Sequence, residues 1–154
     1  VPLIINDRVD VALAVDADGV HLGQSDMPAE TARCLIGKGK LLGLSVENEQ
    51  QLMEAEALPV DYVGLSAIFA TPTKSDTKKE WGIEGLRRAV VQSSFPIVAI
   101  GGINASNLDD IITTNVEGIA LVSAICHAPS PKQAARELLQ QIEEVHSHKD
   151  EEQA

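Results

Sequence analysis

Six short apolar runs recur along this chain, and their spacing restricts the possible folds more than any other feature. They are the segments 2–6, 19–23, 41–46, 61–69, 95–102 and 117–125. Their apolar residues are largely consecutive, which is typical of parallel strands covered on both faces. Segments with helical periodicity lie between or after them, at residues 47–58, 83–94, 106–115 and 130–148. Alternating strands and helices predict an α/β fold with a parallel sheet.

An open doubly wound sheet and a closed barrel share this alternation, and the polar residues favour the barrel. The G-x-G-x-x-G and P-loop signatures of nucleotide-binding open sheets are absent from the sequence. Polar groups instead follow nearly every apolar run, as expected where all strand ends surround one mouth. We therefore predict a (β/α)8 TIM barrel of which about six βα units are present, and we expect the first two to precede Val1.

Composition restricts the partners and the compartment. The net charge is −11 and the aromatic residues are one Trp, one Tyr and two Phe, which argues against a nucleic-acid surface. No run is long enough to span a membrane. Cys34 and Cys126 lack metal-site spacing, so we expect reduced core thiols in a cytoplasmic protein. Residues 1–146 are predicted to form the barrel domain and 147–154 a charged, frayed tail.

Two aspartates follow neighbouring runs. Asp7 comes directly after the first run and Asp26 shortly after the second. Two carboxylates at adjacent strand ends could share Mg²⁺, which takes a few oxygen ligands and completes its shell with water or phosphate. Each aspartate could instead cap the next helix, and Asp26 before Pro28 suits that alternative well. His21 lies within the second run, and we predict that it is a structural core residue.

A basic, hydroxyl-rich segment, TPTKSDTKK at 71–79, stands out in this acidic chain. It lengthens the connection after the fourth run, where the carboxyl ends of parallel strands bind ligands. Gly101 and Gly102 after the fifth run, with Ser123 in the sixth, could offer N–H and hydroxyl groups to a phosphate. A tight turn explains the two glycines equally well. The sequence therefore predicts an anion site at these strand ends. For the two glycines, phosphate binding and a tight turn remain alternatives.

Four segments carry a resemblance to a known family. LIINDRVDVALAVDADGVHLGQSDMP, YVGLSAIFATPTK, PIVAIGGIN and GIALVSAI closely resemble the thiamine-phosphate synthases, in order from about Val1 to Ile125. The resemblance implies a (β/α)8 barrel transferase that uses Mg²⁺. It also implies the reaction, in which hydroxymethylpyrimidine diphosphate and thiazole phosphate give thiamine phosphate and diphosphate.

The same resemblance implies roles for individual residues. Asp7 and Asp26 stand where the family holds Mg²⁺. The positions matched to the pyrimidine diphosphate site are Asn6, Ser45 and Lys74. Those matched to the thiazole phosphate site are Thr71, Pro72, Thr73, Gly102, Val122 and Ser123. Lys74 and Ser45 are the predicted catalytic residues of a dissociative substitution, in which the departing diphosphate is neutralised by Mg²⁺ and Lys74.

The sequence also departs from the family. The family's Gln-x-Arg-x-Lys motif for the diphosphate has no counterpart here and would precede Val1. We therefore expect these residues alone to be aggregation-prone and inactive, and the full-length protein to be a homo-oligomer. Ser66 and Ala67 replace a common Gly-Pro pair. The alternatives are a thiazole tautomerase, which would not need both aspartates, and a non-catalytic phosphate-ligand-binding barrel or domain of a bifunctional thiamine enzyme.

Overall fold

The structure is a computed structural model that describes residues 1–70 and 80–152. The strands are β1 (Ile4–Asn6), β2 (Gly19–Leu22), β3 (Leu41–Val46), β4 (Tyr62–Ser66), β5 (Ile97–Ile100) and β6 (Gly118–Ala120). The helices are α1 (Val9–Ala14), α2 (Ala29–Ile36), α3 (Glu49–Ala55), α4 (Gly82–Gln92), α5 (Leu108–Ile112), α6 (Ser123–Cys126) and α7 (Pro131–Glu152). Each predicted run contains one strand. The last run also contains the first turn of α6, because apolar residues continue past the strand.

The order of the strands in the sheet matches their order in the chain. Neighbours from β1 to β6 are all parallel, and each strand pairs with the next one in sequence. A doubly wound sheet would reverse direction and place a later strand beside β1 on its other side. Continuous winding in one direction is instead the pattern of a (β/α) barrel. The six described strands form a curled part of such a barrel, which confirms the predicted fold class.

The two faces of this sheet differ in chemistry. The convex face packs against the helices, and its side chains are buried: Val20, Leu22, Leu42, Leu44, Val46, Val63, Leu65, Ile97 and Ala99. Because side chains alternate along a strand, the registers place the intervening residues on the concave face. These include His21, Gly43, Ser45, Tyr62 and Gly64. The expectation of consecutive apolar positions is therefore wrong for these concave positions of β2–β4, which are small or polar, whereas β5 places Val98 and Ile100 on the same face.

The last helix is longer than the sequence predicts. It runs from Pro131 to Glu152, so the predicted start of a tail at residue 147 falls within α7. Leu138 is its buried anchor. Glutamine–glutamate hydrogen bonds at i,i+4 spacing, such as Gln140 to Glu144 at 2.8 Å, support the exposed side of the helix. None of the described helices is long and apolar enough to cross a membrane.

Both cysteines are free and exposed, so the expectation of core thiols is wrong. The reason is visible on α2, whose buried face is formed by Ala29, Ala32 and Ile36. Cys34 lies on the other side of that helix and contributes nothing to its buried stripe. Helical spacing thus decides the exposure of this thiol, against the general preference of cysteine for interiors.

Acidic residues stabilise the amino-terminal edge of the sheet. Asp18, Asp61 and Glu117 immediately precede the even-numbered strands. Their carboxylates accept hydrogen bonds from backbone N–H groups where the odd-numbered strands begin: Leu3 at 2.7 Å, Leu42 at 2.7 Å and Ile97 at 2.9 Å. These bonds satisfy backbone donors that would otherwise lack a partner at the start of a strand. The edge opposite the predicted site therefore has a repeated structural role.

Candidate active site

Asp7 lies at the carboxyl end of β1, beside the end of β2. Asn6 pairs in register with His21, and the next backbone N–H, that of Asp7, donates to the His21 carbonyl oxygen over 2.8 Å. Asp7 has φ +64°, a left-handed conformation that aspartate adopts more readily than most residues. Both Asn6 and Asp7 are exposed at this edge. The first predicted metal ligand therefore sits on a fixed turn directly after its strand.

Asp26 is held by the turn that follows β2. Its carboxylate accepts a hydrogen bond from the Gly23 N–H over 2.7 Å, and its own N–H donates to the Gly23 carbonyl over 3.2 Å. The residues at the helix N-cap positions are Arg8 for α1 and Pro28 for α2. The capping alternative is therefore wrong for both aspartates as N-cap residues. Each carboxylate instead lies at the mouth of its own strand.

Arg8, between Asp7 and the first helix, pairs with Asp10. Its guanidinium contacts the Asp10 carboxylate in a bidentate arrangement at 2.7 and 2.6 Å. Hydrogen bonding to this guanidinium lowers the pKa of Asp10 to about 2. Arg8, the cation next to Asp7 in the chain, therefore pairs with Asp10 on α1, which is not among the predicted site residues.

Ser45 is the most enclosed of the predicted site residues. It lies on the concave face of β3 with 8% of its surface exposed. Its Oγ is 2.9 Å from His21 Nε2, and its carbonyl oxygen accepts a hydrogen bond from the Gln24 side chain over 2.6 Å. The second strand and its loop therefore hold Ser45 through both its side chain and its backbone.

Both ring nitrogens of His21 have hydrogen-bond partners, as in the satisfied structural histidine that the sequence predicts. It is half-buried on the concave face, and its Nδ1 lies 3.0 Å from the Tyr62 hydroxyl. The rings of His21 and Tyr62 are tilted, with centroids 5.4 Å apart. Burial raises the pKa of the Tyr62 phenol. Sequence reasoning missed Tyr62 and Gln24 altogether.

Two glycines make this arrangement possible. A Cβ atom on Gly43 would overlap both the Tyr62 ring and His21 Nδ1. A Cβ on Gly64 would lie 3.0 Å from His21 Cε1. Glycine inside a strand often marks the close approach of another group, and these positions are the sequence signal that could have identified the cluster.

On the other side of β4, Gly101 and Gly102 are required by close packing. Both have positive φ, and a Cβ on Gly102 would lie 2.7 Å from the Ala70 carbonyl oxygen. A Cβ on Gly101 would lie 2.6 Å from that of Ala67. Packing against the end of β4 thus suffices to explain these glycines, and their role toward a phosphate stays a prediction.

The remaining predicted residues lie after β6 and β4. Val122 precedes α6 and is 49% exposed, and Ser123 is the first residue of that helix. Since β5 and β6 are adjacent and parallel, Gly102 and Ser123 follow neighbouring strand ends. Thr71, Pro72, Thr73 and Lys74 lie outside the described residues. The structure therefore brings the other predicted residues to one edge in two groups, at or after the carboxyl ends of β1–β3 and after β5–β6.

The chain is similar in sequence to proteins of a recognised family. A family model described as thiamine monophosphate synthase matches residues 1–125. The thiamine-phosphate synthase of Vibrio campbellii is 71% identical over 139 residues, which cover 90% of this chain and 68% of that protein. The thiamine-phosphate synthase of Albidiferax ferrireducens is 50% identical over 145 residues, covering 94% of this chain and 66% of that protein.

A solved structure agrees with these sequence relatives. The thiamine phosphate pyrophosphorylase from Pyrococcus furiosus superposes with a TM-score of 0.84 at 44% identity, covering 92% of this chain and 67% of that one. The chain thus spans about two thirds of the length of each of these relatives. The predictions of a transferase enzyme and of its thiamine-phosphate synthase character are confirmed at the level of the family. The chain belongs to the thiamine monophosphate synthase family.

Proposed function

We propose that the carboxyl edge of β1–β6 is the site at which hydroxymethylpyrimidine diphosphate and thiazole phosphate are joined to give thiamine phosphate and diphosphate. The observation that carries the proposal is the placement of Asp7 and Asp26 after two adjacent parallel strands. The hydrogen bonds from Asp7 N–H to His21 and from Gly23 N–H to the Asp26 carboxylate fix both turns. Polar strand ends on β3, β5 and β6 complete the same edge.

The donor set fits Mg²⁺. This ion is commonly held by one or two protein carboxylates and fills its remaining positions with water and substrate phosphate oxygens. Asp7 is exposed and Asp26 is half-buried, so both are accessible to water and to a ligand. Within residues 1–70 and 80–152 no group of three or more His, Cys, Asp or Glu gathers as a metal cluster. The two exposed or half-buried carboxylates, Asp7 and Asp26, are the described residues that would hold a diphosphate-bound Mg²⁺.

The residues of the edge would bind and orient the two substrates. Bound Mg²⁺ would supply positive charge to stabilise the departing diphosphate. Asn6 and Ser45 would donate hydrogen bonds to the pyrimidine diphosphate, and Lys74 would add a charge-assisted contact. The C–O bond of the pyrimidine methylene breaks with its electron pair leaving on the diphosphate, and the thiazole nitrogen then forms the new C–N bond. Holding the thiazole nitrogen close to the methylene carbon would account for much of the rate enhancement.

The thiazole phosphate would bind at the other end of the edge. Gly102 and Ser123 follow adjacent strands. Val122, next to Ser123 in the chain, has about half of its surface exposed to solvent. Thr71, Pro72 and Thr73 belong to the segment that follows β4 and would complete this subsite. Binding through the phosphate would leave the thiazole ring free to face the pyrimidine, so that its nitrogen can bond to the methylene carbon once the diphosphate has departed.

Further proposals concern the assembly and its compartment. We infer that the working protein is a cytoplasmic homo-oligomer that binds neither nucleic acid nor membrane. Leu13 and Val15 lie at the end of α1, Leu35 lies on the adjacent α2, and these side chains are 42%, 53% and 51% exposed. Exposed apolar side chains on two packed helices suit an interface between identical subunits. Light scattering of the full-length protein gives the mass, and a monomer that persists at high concentration would contradict the proposal.

The function is tested by direct measurement of product. The full-length protein is incubated with both substrates, with and without Mg²⁺, and thiamine phosphate is quantified by chromatography. We expect formation that depends on Mg²⁺ and stops on chelation. Binding of Mn²⁺, followed by its electron paramagnetic resonance signal, gives an independent reading of the two-aspartate site. Product formation that is unaffected by chelation, or absence of product, would overturn the proposal.

A further inference from the structure

A chain of three side chains crosses the concave face of the sheet. The Tyr62 hydroxyl lies 3.0 Å from His21 Nδ1, and His21 Nε2 lies 2.9 Å from Ser45 Oγ. The three residues come from β4, β2 and β3, three neighbouring strands of the sheet. Ser45 lies one inward-facing position further toward the carboxyl edge than the row formed by His21, Gly43 and Tyr62. The chain of hydrogen bonds thus runs toward the proposed site.

The order of donors and acceptors in this chain depends on the tautomer of His21. A phenol hydroxyl donates readily, and a neutral imidazole has one nitrogen that accepts and one that donates. If Tyr62 donates to Nδ1, the proton of His21 resides on Nε2 and is donated to Ser45 Oγ. The hydroxyl hydrogen of Ser45 is then available for a ligand. Burial raises the pKa of Tyr62 and so preserves the phenol as a donor.

The opposite order would suit the ligand poorly. With the proton on Nδ1, His21 would donate to the Tyr62 oxygen, and Ser45 would donate its only proton to Nε2. Ser45 would then present lone pairs alone toward the mouth of the sheet. Diphosphate oxygens are acceptors, and two facing acceptors without a proton between them repel.

We propose that Tyr62 and His21 are positioning residues, which act together to hold the Ser45 hydroxyl as a hydrogen-bond donor toward an oxygen of the diphosphate substrate. This inference rests on the proposed function, in which Ser45 contacts that substrate. A second contact supports the inference. The Gln24 side chain donates to the Ser45 carbonyl oxygen over 2.6 Å and fixes the backbone, so the Ser45 hydroxyl is the group whose direction His21 can set. The space cleared by Gly43 and Gly64 is occupied by this same cluster.

The first experiment reads the tautomer of His21 directly. Nitrogen NMR of ¹⁵N-histidine-labelled full-length protein distinguishes Nε2–H from Nδ1–H imidazole, at a pH of about 9 where an ordinary histidine is neutral. The His21→Gln variant identifies the signal by its loss. We expect the Nε2–H form in the wild type and a shift toward a mixture of forms in Tyr62→Phe. The Nδ1–H form in the wild type, or an unchanged signal in Tyr62→Phe, would overturn the proposal.

The second experiment separates positioning from a general structural role. Loss of one neutral hydrogen bond predicts that Tyr62→Phe raises KM for the pyrimidine diphosphate about 2- to 10-fold. The KM for thiazole phosphate should be unchanged. In the His21→Gln background the glutamine amide can donate to Ser45 Oγ without help from Tyr62. In that background Tyr62→Phe should cause no further change in KM for the pyrimidine diphosphate. His21→Leu cannot donate to Ser45, so it should raise this KM as much as Ser45→Ala does.

The outcomes distinguish this inference from the proposed function. Equal losses for both substrates, or full additivity of Tyr62→Phe and His21→Gln, would show a packing effect and overturn the positioning role. If the wild-type protein forms no thiamine phosphate, the proposed function fails. The tautomer measurement then still supports or overturns the hydrogen-bond order, because it needs no substrate.

Discussion

The backbone N–H of Asp7 lies 2.8 Å from the carbonyl oxygen of His21, and this bond ties the end of β1 to β2. The same histidine extends its side chain across the concave face to Ser45 and Tyr62. One residue therefore connects the proposed metal-binding turn with the proposed diphosphate contact. We expect substitutions at this edge to change activity and substitutions at the opposite edge to change stability.

Replacing either carboxylate should remove activity without unfolding the protein. We expect Asp7→Asn and Asp26→Asn to lower turnover by about 100-fold or more, because weaker binding of Mg²⁺ would remove positive charge that stabilises the departing diphosphate. The amide introduced by Asp26→Asn keeps an oxygen that can accept from the Gly23 N–H, so the turn should persist. Turnover is measured by product formation and stability by thermal unfolding. Asp10→Asn is the matched control, and near-normal Mg²⁺-dependent turnover in both variants would contradict the assignment.

Lys74 belongs to the segment outside the described residues, and its role remains a prediction from the sequence. A charge-assisted contact to the diphosphate of about 1.5–3 kcal/mol corresponds to a roughly 10- to 150-fold change. Lys74→Met should raise KM for the pyrimidine diphosphate within that range and leave thiazole phosphate binding nearly intact. Lys78→Met serves as the control and should have little effect. An equal loss for both substrates would point to disruption of the whole segment.

Asp61 should matter for stability and not for turnover. Its Oδ2 accepts hydrogen bonds from the Arg33 guanidinium at 2.6 Å and from the Leu42 N–H at 2.7 Å. Asp61→Ala leaves both donors without this partner, so we expect the free energy of unfolding to fall by about 1–3 kcal/mol. Turnover per folded molecule should not change, because this edge lies opposite the site.

Urea denaturation measures this effect against a matched ion pair. Asp16 also binds a cation, Lys40 at 2.7 Å, but its side chain is 93% exposed. Exposed pairs contribute little, so Asp16→Asn, which suits the left-handed φ of +49° at this position, should cost less than about 1 kcal/mol. Equal costs for Asp16→Asn and Asp61→Ala would show that the backbone contact of Asp61 is unimportant.

The phenol of Tyr62 should ionise above the usual range. Burial disfavours the charged form, so the pKa is raised in the folded state relative to the unfolded chain. The folded state then keeps its proton where the unfolded state has lost it. The resulting stability is complete below the ordinary tyrosine value of about 10 and is lost as pH rises through the folded pKa.

Ultraviolet absorbance follows tyrosinate formation during an alkaline titration. Subtracting the titration of Tyr62→Phe isolates the contribution of this residue. The decline in unfolding free energy above pH of about 10 should also be smaller in Tyr62→Phe. An ordinary midpoint for the difference spectrum would mean that the phenol is accessible to water in solution.

Gly102 should tolerate no side chain, for a steric reason. Its φ is +69°, and an added Cβ would lie 2.7 Å from the Ala70 carbonyl oxygen. We expect Gly102→Ala to lower the free energy of unfolding by about 1–3 kcal/mol and to raise KM for thiazole phosphate. Gly39→Ala is the control, because a Cβ there meets nothing within 4 Å. Wild-type stability in Gly102→Ala, measured by urea denaturation, would contradict this explanation.

Local patterns in the amino-acid sequence were enough to predict the alternation of strands and helices and the polar residues at the strand ends. These features depend on periodicity, on turn chemistry and on residues adjacent to each strand, all of which can be read within a short window. The placement of Asp7 and Asp26 at one edge followed from parallel order alone. The resemblance carried by four segments supplied the family.

Only the folded structure shows which distant side chains are in contact. His21 and Tyr62 are 41 positions apart in sequence, and their contact depends on the register of three strands and on the absence of a side chain at Gly43. Sheet register is set by the packing of a whole face, which no local window contains. The exposure of Cys34 and the contact between Asp26 and Gly23 are, in contrast, local features, set by helical spacing and by a turn. Because β2 pairs with β3, His21, a residue in an apolar run, contacts Ser45 of the proposed site.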